Sequence, residues 1–250
     1  MLTVDTTTHS YILSLLGLSA GDCIMLVGAH PDDMDYATGG LQAMASAAGL
    51  RVINVVATCG EAGVLDESRW PRSTLRQTRC AEQDIAAALL GAIKPIYLGY
   101  GDGRLGTYEA APAIKRLRDL MDFYSPKLVV TYGPDGLTGH SDHQVISDWV
   151  TRAFRLYGTD KGDLWYIAAT PEWQADIQPH LEKAKAIYRA PEVYGPGDLA
   201  LDLELPETIL RLKLLAVKSH ASQSQPLDAA IGGLELLLPW FRRETYRLGA

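Results

Sequence analysis

The chain has 250 residues, 47% of them hydrophobic, with 23 Lys and Arg against 30 Asp and Glu and a formal net charge of −7. That balance excludes a basic nucleic-acid footprint, and no run approaches the ~20 apolar residues that span a bilayer. Plentiful apolar residues with modest charge also exclude disorder, and the length suits one domain with its own core.

Residues 1–10 carry Asp5 and no Lys or Arg, so the apolar stretch Tyr11 to Leu18 lacks the basic flank of a secretory signal. Cys23, Cys59 and Cys80 are odd in number and show no C-x-x-C spacing. They read as reduced thiols packing as small hydrophobes in a cytoplasmic protein. Cys23 to Ala29 is a continuous apolar run that predicts a strand covered on both faces. Gly39 to Ala48 is Ala-rich and helical, with Gly49 as its cap. Arg51 to Ala57 is β-branched and predicts a second strand. Ser73 to Leu90 predicts a long helix closed by Gly91, Pro95 to Leu98 a short strand, and Pro112 to Tyr124 a helix with Pro near its first turn. Leu128 to Thr131 predicts another strand and Asp142 to Leu156 another helix.

This alternation predicts an α/β fold with a Rossmann-like, mostly parallel sheet and helices on both faces. Such sheets bind ligands beyond the C-terminal ends of their strands. The second half is less regular. Leu164 to Ala169 and Leu199 to Leu205 read as strands, Pro206 to Ser219 and Leu227 to Phe241 as helices, and Arg189 to Asp198 as a loop. No linker interrupts residues 1–250, which are read as a single domain.

Metal-ligand chemistry gathers where that architecture expects a site. His30-Pro31-Asp32-Asp33 follows the first strand, and Gly139-His140-Ser141-Asp142-His143 follows the LVVT strand. A His and an Asp three residues apart across a turn can reach one cation, and imidazole with carboxylate suits Zn²⁺ or another divalent metal. The second cluster supplies a third ligand and a further acid or base. Three protein ligands with an open position make a catalytic rather than a structural site. Spacing alone does not say which of His140 and His143 holds the metal. The bland readings are a turn or cap for Asp32-Asp33 and a helix cap for Asp142.

Further motifs follow in order: Gly39-Gly40; Thr58-Cys59-Gly60-Glu61-Ala62-Gly63; Arg79 and Glu82 on a helix ending Leu90-Gly91; Leu98-Gly99 with Asp102; His140 to His143; and Lys213 with His220-Ala221-Ser222-Gln223. With Ala29-His30-Pro31-Asp32-Asp33 at their head, they resemble the LmbE/PIG-L family of zinc-dependent N-acetylglucosamine-type deacetylases over roughly Gly21 to Gln223. The resemblance implies a metal-dependent hydrolase that releases acetate from an N-acetylated amino sugar or its conjugate. It implies His30, Asp33 and His143 as zinc ligands and Asp32 as general base. His140 would protonate the leaving amine or stabilise the oxyanion, and Asp142 would orient this machinery. Arg79 and Asp102 would contact sugar hydroxyls, against the blander readings of a surface ion pair and an ordinary turn. Ser141 stands where relatives often have proline.

From these roles, Asp142 is expected to raise the pKa of His140, and kcat/KM to follow a bell-shaped pH profile. Zn²⁺ is the expected metal, with Fe²⁺ or another divalent ion compatible with the same donors. The expected partner is a small N-acetyl sugar, without nucleic acid or a membrane segment, and relatives often form trimers or hexamers. The alternative is an amidase that removes a larger N-acyl group from a sugar or thiol conjugate, which needs an open acyl side. A sugar-binding protein without catalysis is disfavoured by the intact His and Asp clusters. Glu61 is read as lining the pocket or capping a helix, and His220 and Gln223 as scaffold or pocket-wall residues, none with an assigned role.

Overall fold

The computed structural model describes residues 6–249, so Asp5 lies outside the described residues. The first elements are α1 (Thr6–Leu16), β1 (Cys23–Gly28), α2 (Asp33–Ala47), β2 (Arg51–Val56), α3 (Arg72–Leu90), β3 (Ile93–Tyr97), α4 (Ala110–Tyr124) and β4 (Leu128–Tyr132). A helical turn α5 (Gly136–Gly139), α6 (Ser141–Tyr157), β5 (Asp163–Ile167), α7 (Pro171–Asp176), α8 (Gln178–Lys183) and β6 (Leu201–Glu204) follow. The chain ends with α9 (Glu207–Ser219), α10 (Ala221–Ile231), α11 (Leu238–Arg242) and β7 (Arg243–Leu248).

Among the described residues, one sheet of seven strands runs in the order β3-β2-β1-β4-β5-β7-β6. The first five strands in this order pair in parallel, and β7 pairs antiparallel with both β5 and β6. β1 and β4 are buried along their whole length because helices cover both faces of the sheet's centre. The strand order reverses between β1 and β4, which is where an open α/β sheet leaves a crevice. Both His and Asp clusters leave the sheet there. Among the described residues, no helix is long and apolar enough to cross a membrane.

Three sequence readings change. α2 begins at Asp33 rather than Gly39. Gly39 and Gly40 sit inside it, because a Cβ on Gly39 would lie 2.9 Å from Lys213 and one on Gly40 2.3 Å from Leu205. Leu227 to Phe241 is not one helix. Gly232 and Gly233 have φ of +97° and +133°, which end α10, and a 3₁₀ turn leads into α11. The thiols of Cys59 and Cys80 are not free: the two residues form a disulfide, with Cα atoms 5.8 Å apart. Neither lies near the other in sequence, so nothing local signals the pair. Cys23 remains a buried thiol.

The C-terminal strand is pinned to α9 by a buried charge pair and to α2 by hydrogen bonds from the same carboxylate. Lys213 Nζ of α9 lies 2.7 Å from Glu244 Oε1 of β7, and both side chains are 0% exposed. Glu244 also accepts the backbone N–H groups of Gly40 and Leu41 and the Tyr246 hydroxyl. Lys213→Ala leaves that carboxylate buried without its cation and is expected to cost about 3–5 kcal/mol. Urea unfolding measures it, and a loss under ~1 kcal/mol, the range of an exposed pair, would refute the buried-pair account.

Candidate metal centre

The turn after β1 is organised by its own carboxylate. Asp33 Oδ2 accepts the N–H groups of Ala29 (2.9 Å) and His30 (2.8 Å). Asp33 Oδ1 is thereby aimed at β4's loop, where it lies 3.4 Å from His143 Nε2. Between His30 and Asp33, Asp32 holds φ at +91°, a conformation that side-chain-bearing residues seldom adopt and that recurs at functional sites. Its N–H donates to Gln83 Oε1 at 2.9 Å.

His143, in the first turns of α6, is fixed on two sides. Its ring stacks on Tyr132 at 4.1 Å, and its Nδ1 lies 3.0 Å from the carbonyl oxygen of Gly136. A carbonyl only accepts, so Nδ1 carries the proton and Nε2 presents a lone pair. His30 is fixed from its other nitrogen. Nε2 lies 2.9 Å from Asp102 Oδ1 and 3.4 Å from Asp142 Oδ2, which keeps a proton there and turns Nδ1 inward. His30 Nδ1 and His143 Nε2 then stand 3.3 Å apart, with Asp33 beside both. Two imidazole nitrogens and a carboxylate oxygen converge on one point.

This point calls for positive charge. Burial opposes protonation of His30, yet the carboxylates of Asp33, Asp102 and Asp142 hold its pKa well above the ordinary histidine value. Burial likewise works against the Asp33 charge, but His143 and His30 hold its pKa well below the usual carboxylate range. A divalent cation shared by the three donors meets the same electrostatic demand, and this donor set fits Zn²⁺ or Fe²⁺.

Among the described residues, His30 also belongs to two other sets of side chains close enough to share a cation, one with His140 and His143 and the other with Asp102 and Asp142. The second group is already engaged. Asp142 accepts the N–H groups of Gly103 and Leu105, Asp102 accepts that of Ala62, and both face the protonated nitrogen of His30. These two carboxylates orient the His30 imidazole, as carboxylates commonly do for a metal-bound histidine.

The structure therefore places several sequence-predicted residues differently from expectation. Asp102 is beside His30 rather than at an open rim. The Asp142 carboxylate faces His30 rather than the His140 ring. His140 Nδ1 accepts the Asp142 backbone N–H at 3.1 Å, leaving Nε2 as its donor. Burial first, and then the neighbouring His30 and His143, push the His140 pKa down to about 4, so the expected raised pKa is reversed. Arg79 is neither on the surface nor at a rim. It is 5% exposed, and its guanidinium donates to the carbonyls of Gly60 and Pro31 (both 2.8 Å) and to Asp32 Oδ2 at 3.2 Å. Gly60 has room for this because a Cβ there would lie 2.1 Å from Arg79 Nη1.

Residues left without roles now have partners. Glu61 accepts the Asp102 N–H. His220 Nε2 lies 2.8 Å from buried Asp35, and Gln223 donates to the Gly63 carbonyl beside the centre. Tyr132 and Gln83 were not singled out from sequence. Tyr132 ends an apolar strand, and Gln83 lies one helical turn beyond Arg79, a spacing that puts both on one face of α3.

Residues 25–154 match the family model described as "PIG-L: GlcNAc-PI de-N-acetylase". A 1D-myo-inositol 2-acetamido-2-deoxy-alpha-D-glucopyranoside deacetylase from Mycobacteroides abscessus is 36% identical over 226 residues, covering 80% of this chain and 81% of its own. The N,N'-diacetylchitobiose deacetylase structure from Pyrococcus horikoshii superposes with a TM-score of 0.65 at 20% identity, covering 98% of this chain and 94% of that one. GalB, a 4-carboxy-2-hydroxymuconate hydratase from Pseudomonas putida, also reaches 0.65 at 16% identity, over 92% of this chain and 96% of its own. A fold shared with a hydratase does not by itself fix the reaction.

Proposed function

This chain belongs to the PIG-L family, and from that premise we propose that it hydrolyses the acetamide of an N-acetylated amino sugar or its conjugate, releasing acetate. The observation that carries the reading is the convergence of His30 Nδ1, His143 Nε2 and Asp33 Oδ1 beside the strained, half-buried Asp32. These three atoms are proposed to hold the metal, read as Zn²⁺ with Fe²⁺ equally suited to the donors. When bound, such an ion supplies Lewis-acid activation of the amide and lowers the pKa of the attacking water.

The residues of the chain do the rest. Asp32 takes the proton of the attacking water. Burial raises its pKa and Arg79 opposes the rise, which keeps it ionised yet basic enough to work. His140, neutral because its pKa lies near 4, offers Nε2–H to the oxygen that becomes negative as water adds. A neutral imidazole has no spare proton for the amine, so protonated Asp32 returns the proton it took, and the amine leaves. Asp102 and Asp142 hold the His30 ring.

Arg79→Lys tests the revised role of Arg79. Lysine cannot hold Gly60, Pro31 and Asp32 together in a planar fork. Displacing the base should lower kcat by ~10²-fold with KM little changed. A rise in KM alone would return Arg79 to hydroxyl binding. The reading as a whole is tested by acetate release from a panel of N-acetyl sugars with metal-reconstituted protein; no release from any of them at full metal loading would refute it.

A further inference from the structure

Two cavities meet at Asp32, Thr138 and His143. One, of about 550 Å³, carries the charged and polar side chains Arg79, Asp102, His140, Lys185 and Tyr188 beside apolar ones such as Leu65 and Pro226, and these polar groups suit a hydroxylated amine. The other, of about 200 Å³, lies on the Asp33 side and is walled by Tyr36, Ala37, Leu137, Leu181, Leu227 and Trp240. Ala37 is one helical turn beyond Asp33, so the wall begins on the same face of α2 as the proposed ligand carboxylate. Leu137 holds φ at +60°, a strained conformation for a leucine, at this cavity's edge.

We propose that the apolar cavity is the acyl subsite and that it takes linear N-acyl chains longer than acetyl, of about four to six carbons. The inference rests on the amide-hydrolysis reading above, and it fixes the substrate class. With the amine in the polar cavity, the acyl group of an amide at Asp32 and His143 points into the apolar one. An acetyl methyl would leave most of it unfilled, since an apolar cavity of ~150 Å³ takes a whole benzene ring. Leu181, Leu227 and Trp240 lie beyond residues 25–154, the part that the family model matches, so this wall belongs to the chain's own C-terminal half.

The experiment compares N-acetyl-, N-butanoyl- and N-hexanoylglucosamine as substrates of the metal-loaded protein, by release of free amine. In parallel, calorimetry measures binding of acetate, butanoate and hexanoate. Each methylene buried adds about fourfold, so kcat/KM for hexanoyl should exceed acetyl by at least ~10-fold, and hexanoate should bind correspondingly more tightly than acetate. Ala37→Met, which fills the cavity from α2, should collapse both ratios toward one, and Leu181→Phe, at a residue that lines this cavity alone of the two, should do so from α8. Hexanoyl cleaved no faster than acetyl, with hexanoate bound no more tightly, overturns the acyl subsite and leaves the deacetylase reading standing. If no amide is cleaved while hexanoate still binds more tightly and Ala37→Met abolishes the difference, the apolar subsite stands and the hydrolase reading fails.

Discussion

Asp32→Asn is expected to lower kcat by at least ~10²-fold while leaving the metal in place. The substitution keeps the shape of the side chain and removes the proton acceptor. Asparagine tolerates positive φ as aspartate does, so the +91° backbone at this position survives. The ligand atoms belong to other residues, and the Asp32 N–H bond to Gln83 is made by the backbone. The pH profile follows from the same assignment. With its pKa raised by burial, the Asp32 carboxyl protonates as pH falls and loses its acceptor, so kcat/KM should drop on the acid side. That limb should vanish in Asp32→Asn. His140, with its pKa near 4, is neutral throughout the working range and supplies no alkaline limb, contrary to the bell shape expected from sequence. His140→Ala should therefore lower kcat without reshaping the alkaline side. Near-full activity of Asp32→Asn would move the base to another group.

The parts of the molecule legible in sequence are those whose signals are local. β1, β2 and β4 are short apolar runs, and the ligand-type residues lie within a turn of β1 and β4, so strand and chemistry are read in one stretch. β7 is hidden because its inward Glu244 is a charge neutralised by Lys213 from α9, a pairing no periodicity reveals. The contacts of Asp102, Asp142 and Arg79 are not legible for a related reason. Each acts on a residue that the β1 turn delivers: His30 for the two carboxylates, Asp32 and Pro31 for the guanidinium. Motif order marks such residues as part of the site without saying which neighbour they touch. The Cys59–Cys80 pair is likewise a product of how β2's end meets α3.

Loss of metal from His143→Ala is the other large effect expected, and it bears on the central claim: one cation lies between His30 Nδ1, His143 Nε2 and Asp33 Oδ1, with Asp102 and Asp142 on the far side of the His30 ring. Removing a ligand imidazole leaves two donors where a catalytic site has three. Asp102→Asn removes only the charge behind His30 and should weaken metal binding by ~10–100-fold without abolishing it. His140→Ala should leave metal content unchanged. The deciding measurement is metal per chain by elemental analysis of purified wild type, His143→Ala, His140→Ala and Asp102→Asn, each dialysed against excess Zn²⁺ and then desalted. The account predicts about one ion per chain in the wild type and in His140→Ala, a measurable fraction in Asp102→Asn, and essentially none in His143→Ala. Full occupancy of His143→Ala, with an empty Asp102→Asn or His140→Ala, would contradict it.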